Sequence, residues 1–212
     1  MSAENIYNKL RAAGLSARGA CGMMGNLMAE SSLIANIAQR GMTNLSDADY
    51  TSKYDKSPAA CYKDGVGYGL AQWTYWSRKQ NLFEFANAKG KSVGDENTQV
   101  EFIIHELRTE YSGLFSYLCA CEDMYEATSR ICKEYERPAV NNIDTRYQYA
   151  QTFYKDLGGE KSTATEAFYP PDLSILILQS VLCGNGYETE ITGHSNPHFL
   201  KTLRRFVTDI GG

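Results

Sequence analysis

Along most of the chain the apolar residues recur every three or four positions, the spacing of one buried helix face. Ile6 and Leu10 place a first helix over residues 3–13, and Gly14 closes it. Ser16 then caps a second helix with a body of Ala17, Ala20, Met23, Met24, Leu27 and Met28, running into Glu30, Ser31 and Ser32. Ser46-Asp47-Ala48-Asp49 starts another. Residues 50–66 show no clear period and contain Pro58 and Gly65, so a long loop is expected there. Its Asp55 and Asp64 are either solvated carboxylates or acidic groups on a cleft wall. Further helices are expected over 76–89 (Leu82, Phe83, Phe85, Ala86), 97–111 (Val100, Ile103, Ile104, Leu107, with His105 on the flank) and 114–121. Another covers 124–136 with Tyr125, Ile131 and Tyr135, and Pro138 stops it. The last helix of this region is capped by Asp144 and carries Tyr147, Tyr149, Phe153, Tyr154 and Leu157. No alternating run supports a sheet, although a small hairpin fits between residues 50 and 70. The pattern is that of a mainly α protein.

Residues 158–169, GGEKSTATEAFY, break the periodicity and read as a linker. The apolar pattern restarts beyond it with Leu173, Leu176, Ile177, Val181 and Leu182, followed by a turn at Gly184-Asn185-Gly186-Tyr187. Asn196-Pro197 opens a final helix with Leu200, Leu203, Phe206 and Val207 inward. The expected organisation is therefore a domain over 1–157, a linker over 158–169 and a small helical module over 170–212.

Two stretches carry the candidate chemistry. In the second helix Gly19, Gly22 and Gly25 recur every third residue. Glycine inside a helix costs roughly 1 kcal/mol relative to alanine, so the stripe implies close approach of another backbone or of a bulky substrate. Glu30 ends this apolar helix, where desolvation would raise its pKa and suit it to general-acid work; the plainer alternative is a carboxylate in solvent. The second stretch is GVGYGLAQWTYWSRKQ over residues 65–80, which includes both tryptophans of the chain. Aromatic faces with amide and hydroxyl groups between them suit a sugar, whereas Trp73 and Trp76 taken singly also fit the core face of the following helix.

Taken together and in order, these segments resemble the phage tail lysozyme family, which has the goose-type lysozyme and lytic transglycosylase kind of fold. The matching residues are Asn5-Ile6-Tyr7, Gly25-Asn26-Leu27-Met28-Ala29-Glu30-Ser31, Gly67-Tyr68-Gly69-Leu70-Ala71-Gln72-Trp73, Trp76-Ser77-Arg78-Lys79 and Tyr135-Glu136-Arg137-Pro138-Ala139. The resemblance spans about residues 4–157. It implies a lysozyme-like helical catalytic domain that cleaves peptidoglycan glycan strands, with Glu30 as the acid and Gln72 lining the sugar cleft. Ser31, Tyr68, Gln72, Trp73, Tyr75, Trp76 and Glu136 are the expected substrate-contacting residues. Glu136 either faces the cleft as a second carboxylate or pairs with a neighbouring arginine and braces the site. Ser32-Leu33 departs from the family, which has Gly-Leu followed by Asn-Pro there. The C-terminal stretch resembles the small helical peptidoglycan-binding module through Leu178-Gln179, Asn185-Gly186-Tyr187, Thr192-Gly193 and Phe206, with Thr192 in place of an aspartate.

Composition narrows the alternatives. The 212 residues are 43% hydrophobic and 22% charged, which is globular rather than disordered. A formal net charge of −4 without a basic block argues against nucleic acid. No apolar run reaches membrane-spanning length, and the N-terminus goes straight into a polar helix start without a signal peptide. A monomer made in the cytoplasm and reaching the wall by lysis, release or particle delivery is expected. The six cysteines lack paired spacing, so reduced, buried thiols are expected, with no metal and no cofactor. An amidase or endopeptidase would need zinc-ligand spacing or an activated Cys–His pair. Between hydrolysis and lytic transglycosylation the residues do not choose; the closer family resemblance implies a lysozyme (N-acetylmuramidase) that cuts the bond between N-acetylmuramic acid and N-acetylglucosamine, and a non-catalytic cell-wall-binding or phage-particle protein is the other alternative. A second carboxylate about 5–5.5 Å from Glu30 would serve retention and one about 6.5–9.5 Å away inversion, whereas a transglycosylase needs Glu30 alone.

Overall fold

The computed structural model describes residues 3–158, 179, 181–182, 186–187 and 197–210. The chain forms two compact units, Met1–Gly159 and Glu160–Gly212. The first is built from α1 (Ala3–Ala12), α2 (Ala17–Ser31), α3 (Asp47–Lys56), α4 (Ala59–Tyr62), α5 (Trp76–Ala88), α6 (Glu96–Thr109), α7 (Ser112–Ala120), α8 (Met124–Arg130) and α9 (Ile143–Leu157). The expected mainly helical, lysozyme-like class is what the chain adopts.

The axis of this unit is α2. Ser16 sits in extended backbone and its Oγ accepts from the Gly19 N–H at 2.9 Å, so the helix starts where its cap predicts. Gly19 through Leu27 are all buried, and α2 packs most extensively against α9 and then α8. The three glycines are explained by backbone rather than substrate. A Cβ at Gly19 would collide with the Leu118 carbonyl of α7, and one at Gly25 with the Arg146 carbonyl of α9. A Cβ at Gly22 would press on Ala127 and Thr128 of α8 at 3.2–3.3 Å. Each glycine lets a different helix approach the same central rod.

Residues 50–66 are not the expected loop. Most of them are helical, in α3 and α4, because Tyr50 and Tyr54 at i and i+4 supply the buried face of an otherwise charged helix. The expected hairpin between 50 and 70 is likewise absent from the described residues. Isolated antiparallel bridges instead join Ala38 to Tyr68 and Tyr68 to Trp73, around a tight turn in which Gln72 takes a left-handed φ of 45°. Asp64 and Asp55 are structural: Asp64 pairs at 2.8 Å with the fully buried Lys79, and Asp55 accepts from Ser92 Oγ and the Val93 N–H.

Helix α8 passes into a π-helical segment, Ile131–Glu136, which ends on Arg137 in the left-handed region with φ 51°. Asp144 lies in the first turn of α9, while Asn142 holds the cap position without a side-chain cap bond. Four of the five described cysteines are buried, and burial pushes the Cys21 thiol up to about 12 and Cys132 to about 11. Neither is an activated nucleophile. No helix among the described residues is long and apolar enough to cross a membrane.

The second unit includes α10 (Pro197–Ile210). Phe206 meets the Tyr187 ring edge-on at 5.4 Å, and the Tyr187 hydroxyl donates to Asp209 at 2.5 Å. Val207, expected inward, is 56% exposed. The remaining C-terminal expectations, including Leu173, Leu176, Ile177, Leu178, Asn185, Thr192, Gly193 and all of the linker but Gly158, lie outside the described residues.

Candidate active site

Glu30 is the penultimate residue of α2, at the point where Ser32 turns left-handed (φ 54°) and ends the helix. Its side chain is 16% exposed and its Oε1 lies 2.7 Å from Arg146 Nη2 of α9. The contact is an ion pair without hydrogen-bond alignment, since Oε1 has no aligned donor among the described residues. Arg146 is itself held in place. Its Nε donates to the Asn141 carbonyl at 2.8 Å and its Nη1 to Asn26 Oδ1 at 3.2 Å. Asn26 is fully buried in α2 and donates to the Gly22 and Thr128 carbonyls. The close approach that Gly25 permits therefore delivers a guanidinium to the carboxylate at the end of the same helix.

Glu136 ends the π segment, which packs against α2. The residue is half-buried, yet its Oε1 is sealed from water and has no hydrogen-bond partner among the described residues. Burial, and then the charge of Glu30, push its carboxyl well above the usual range, against the opposing pull of Arg78 and Arg146. Burial thus favours the neutral form of the Glu136 carboxyl.

Behind these residues lies a buried polar cluster centred on Glu106 of α6, which is completely buried. Arg78 donates to it from Nε at 2.7 Å and from Nη2 at 2.8 Å. Trp73 Nε1 donates at 3.0 Å and the Tyr135 hydroxyl at 2.6 Å. Arg78 also lies over the Tyr135 ring, 4.5 Å from its centroid. One carboxylate thereby ties together the Gln72-Trp73 turn, α5, α6 and the π segment that carries Glu136.

The phage tail lysozyme family matches residues 1–157 of this chain. The chain belongs to the phage tail lysozyme family. It is also 25% identical over 181 residues to morphogenesis protein 1 of Bacillus phage B103, a match covering 82% of this chain and 44% of that protein. The chain thus spans less than half the length of that curated relative.

In this phage tail lysozyme domain the expected contact residues separate into two groups. Tyr75 and Trp76 are 64% and 43% exposed, with ring centroids 6.1 Å apart, and Lys63 Nζ lies 5.5 Å from the Trp76 ring centroid. Gln72 is half-buried, with its Nε2 donating to the Gly69 carbonyl at 3.0 Å. The other expected contacts have no free face. Tyr68 is fully buried, with its hydroxyl 2.6 Å from Thr51 Oγ1, and Trp73 is 1% exposed on Glu106. Ser31 is buried with its hydroxyl donating to the Leu27 carbonyl at 3.0 Å. Each of these rings or hydroxyls is engaged by the fold beneath it. A cavity of about 590 Å³ lined by Ser32–Asn36 and Gly94–Glu96 lies just past the end of α2 and is not formed around the Glu30 carboxylate.

Arg146 and Glu106 were not singled out by sequence, and Asn26 and Arg78 were named there only as motif residues without a role. For the first two a signal exists: Glu106 falls in phase with Phe102, Ile103 and Leu107, and Arg146 with Ile143, Tyr147 and Ala150. A charge on a helix's apolar stripe marks a buried ion pair, because an unpaired charge there would be too costly.

Proposed function

We propose that this domain cleaves the glycan strands of bacterial peptidoglycan at the bond between N-acetylmuramic acid and N-acetylglucosamine, with Glu30 as the general acid. The observation that carries this is the largely buried Glu30 carboxylate at the end of α2, 2.7 Å from Arg146, in a domain of the phage tail lysozyme family whose π segment, ending on Glu136, packs against α2. Glu30 would give its proton to the glycosidic oxygen as the bond to the sugar C1 breaks. Tyr75 and Trp76, exposed and adjacent, suit the faces of neighbouring sugars, with Gln72 at the turn beside them. Gln179, Gly186-Tyr187 and Phe206 belong to the segment proposed to add wall binding.

One observation favours lytic transglycosylation as a second reading. A carboxyl that burial keeps neutral is a poor base for activating water, which leaves Glu30 to take back the proton itself. The acceptor can then be water, giving a muramidase, or the sugar's own 6-hydroxyl, giving anhydro products. Mass spectrometry of purified peptidoglycan digested by the wild type and by Glu30→Gln tests both. Reducing-end muropeptides from the wild type alone are expected of a muramidase, and anhydro-muropeptides alone of a transglycosylase. Cleaved peptide stems, or a Glu30→Gln variant as active as the parent, would overturn the glycosidase.

A further inference from the structure

We propose that Asn26 is a positioning residue of the reaction: it fixes Arg146 against one oxygen of Glu30, Oε1, so that the other, Oε2, is the oxygen presented to the glycan. The proposal rests on the glycan-cleaving reading for the role of Glu30, whereas the anchoring of Arg146 can be measured without substrate.

The anchoring does not depend on Glu30. Asn26 is fully buried on α2, one turn before Glu30. Its Nδ2 donates to the Gly22 carbonyl of its own helix at 2.9 Å and to the Thr128 carbonyl of α8 at 3.1 Å. Two carbonyls on one end and a guanidinium on the other admit only one orientation of the amide, so Oδ1 is an acceptor in a fixed direction. Arg146 meets it from α9, with Nη1 donating at 3.2 Å, while Nε donates to the Asn141 carbonyl at 2.8 Å. Two of the three guanidinium nitrogens are thus engaged by neutral acceptors before Glu30 is counted. The group is planar, so fixing Nε and Nη1 fixes Nη2 as well. Nη2 is the nitrogen 2.7 Å from Glu30 Oε1.

The two oxygens of Glu30 are thereby made unequal. Oε1 is buried against Nη2, and the 16% of the side chain that remains exposed leaves Oε2 as the oxygen open to solvent. The proton of a general acid must sit on the oxygen that substrate can reach, which here is Oε2. When that proton passes to the glycosidic oxygen, the bond to the sugar C1 breaks and the negative charge is left on the carboxylate, beside a guanidinium already in place. A counter-charge that need not move at that moment favours the transition state over the ground state. An Arg146 released from Asn26 would lose that advantage and would free Glu30 to turn either oxygen outward. None of these bonds involves Tyr75 or Trp76, the proposed sugar faces, so the loss is expected in kcat and not in KM.

The test compares Asn26→Ser, Arg146→Lys and Glu30→Gln in the full chain. Serine can still bond to the Gly22 carbonyl one turn back but is too short to reach Arg146. Lysine keeps the charge on a single nitrogen, which cannot serve Asn26, Asn141 and Glu30 in the arginine's planar geometry. In the nitrogen-15-labelled protein, Arg146 is expected to give separate, slowly exchanging Nη1 and Nη2 resonances, assigned by their absence from Arg146→Lys. They are expected to persist in Glu30→Gln and to average in Asn26→Ser. On solubilised peptidoglycan strands, Asn26→Ser and Arg146→Lys are each expected to lower kcat about 10- to 100-fold, the scale of a small misplacement of a catalytic group, with KM within about twofold. Tyr54→Phe, which removes a buried hydroxyl bond from α3 to the Lys79 carbonyl, serves as the stability control and is expected to lower Tm and keep kcat. Resonances that average in Glu30→Gln would mean that the arginine follows the acid and would overturn the anchoring, as would separate resonances in Asn26→Ser. Unchanged kcat in Asn26→Ser or Arg146→Lys would remove the positioning role, and an equal kcat loss in Tyr54→Phe would assign the effect to stability. Anchored resonances in a wild type that leaves the glycan intact would keep the anchoring and sink the glycosidase.

Discussion

Glu106→Gln asks whether charge holds the framework under the site. Glu106 is fully buried and accepts four hydrogen bonds, two of them from Arg78. Glutamine keeps the shape but replaces one acceptor oxygen with a donor, and it leaves the Arg78 guanidinium, whose side chain is only 15% exposed, without its countercharge. Removing one partner of a buried pair costs about 3–5 kcal/mol. For a unit of the size of Met1–Gly159 this corresponds to a fall in Tm of roughly 6–20 °C, at about 2–4 °C per kcal/mol. Both tryptophans, Trp73 and Trp76, lie in this unit, so the fluorescence transition in heat or urea reports it without the C-terminal residues. A loss below about 1 kcal/mol, the range of an exposed pair, would refute the account. A double variant, Arg78→Met with Glu106→Leu, is expected to recover part of the loss, since apolar replacement of a buried pair is often tolerated. Recovery would be incomplete because Trp73 Nε1 and the Tyr135 hydroxyl lose their acceptor. A double variant as unstable as the two single losses added together would assign the effect to packing.

Two further expectations follow from the same framework. Gly25→Ala would drive a methyl group against the Arg146 carbonyl and Ala150, costing about 1–3 kcal/mol in denaturant unfolding and lowering activity by moving Arg146 off Glu30; a fully stable and active Gly25→Ala would show that α9 adjusts freely. At Asp64, burial raises the carboxyl, but Lys79, the Val66 N–H and the Tyr50 hydroxyl outweigh it and hold it below the usual range, whereas the wholly buried Lys79 is lowered by desolvation. A depressed carboxyl stabilises the fold above its unfolded value and loses that contribution as pH falls through the folded one. The stability gap between wild type and Asp64→Asn is therefore expected to be full above about pH 4–5 and to close below it, and a gap constant from neutral to strongly acid pH would contradict the pairing.

The helical class, the capped start of α2, the glycine stripe and the position of Glu30 at the helix end were all legible in the sequence, because each depends on residues within a turn or two of one another. The loop expected over 50–66 was misjudged because the buried face of α3 is made of tyrosines, whose polar tips disguise an apolar stripe. Tyr68, Trp73 and Ser31 looked like sugar contacts by residue type, and only tertiary packing decides whether a ring meets a sugar or a neighbouring helix. Glu136 was noticed as a motif, but its environment comes from groups on α2, α5, α6 and α9. Distances along the chain of 106 residues from Glu30 to Glu136, and 116 from Glu30 to Arg146, carry no local signal. Burial and charge act through space, so the sequence by itself determined most of the helices and the place of Glu30 at the end of α2. Its partner Arg146 and the neighbouring π segment come together only once α9 and that segment pack on α2.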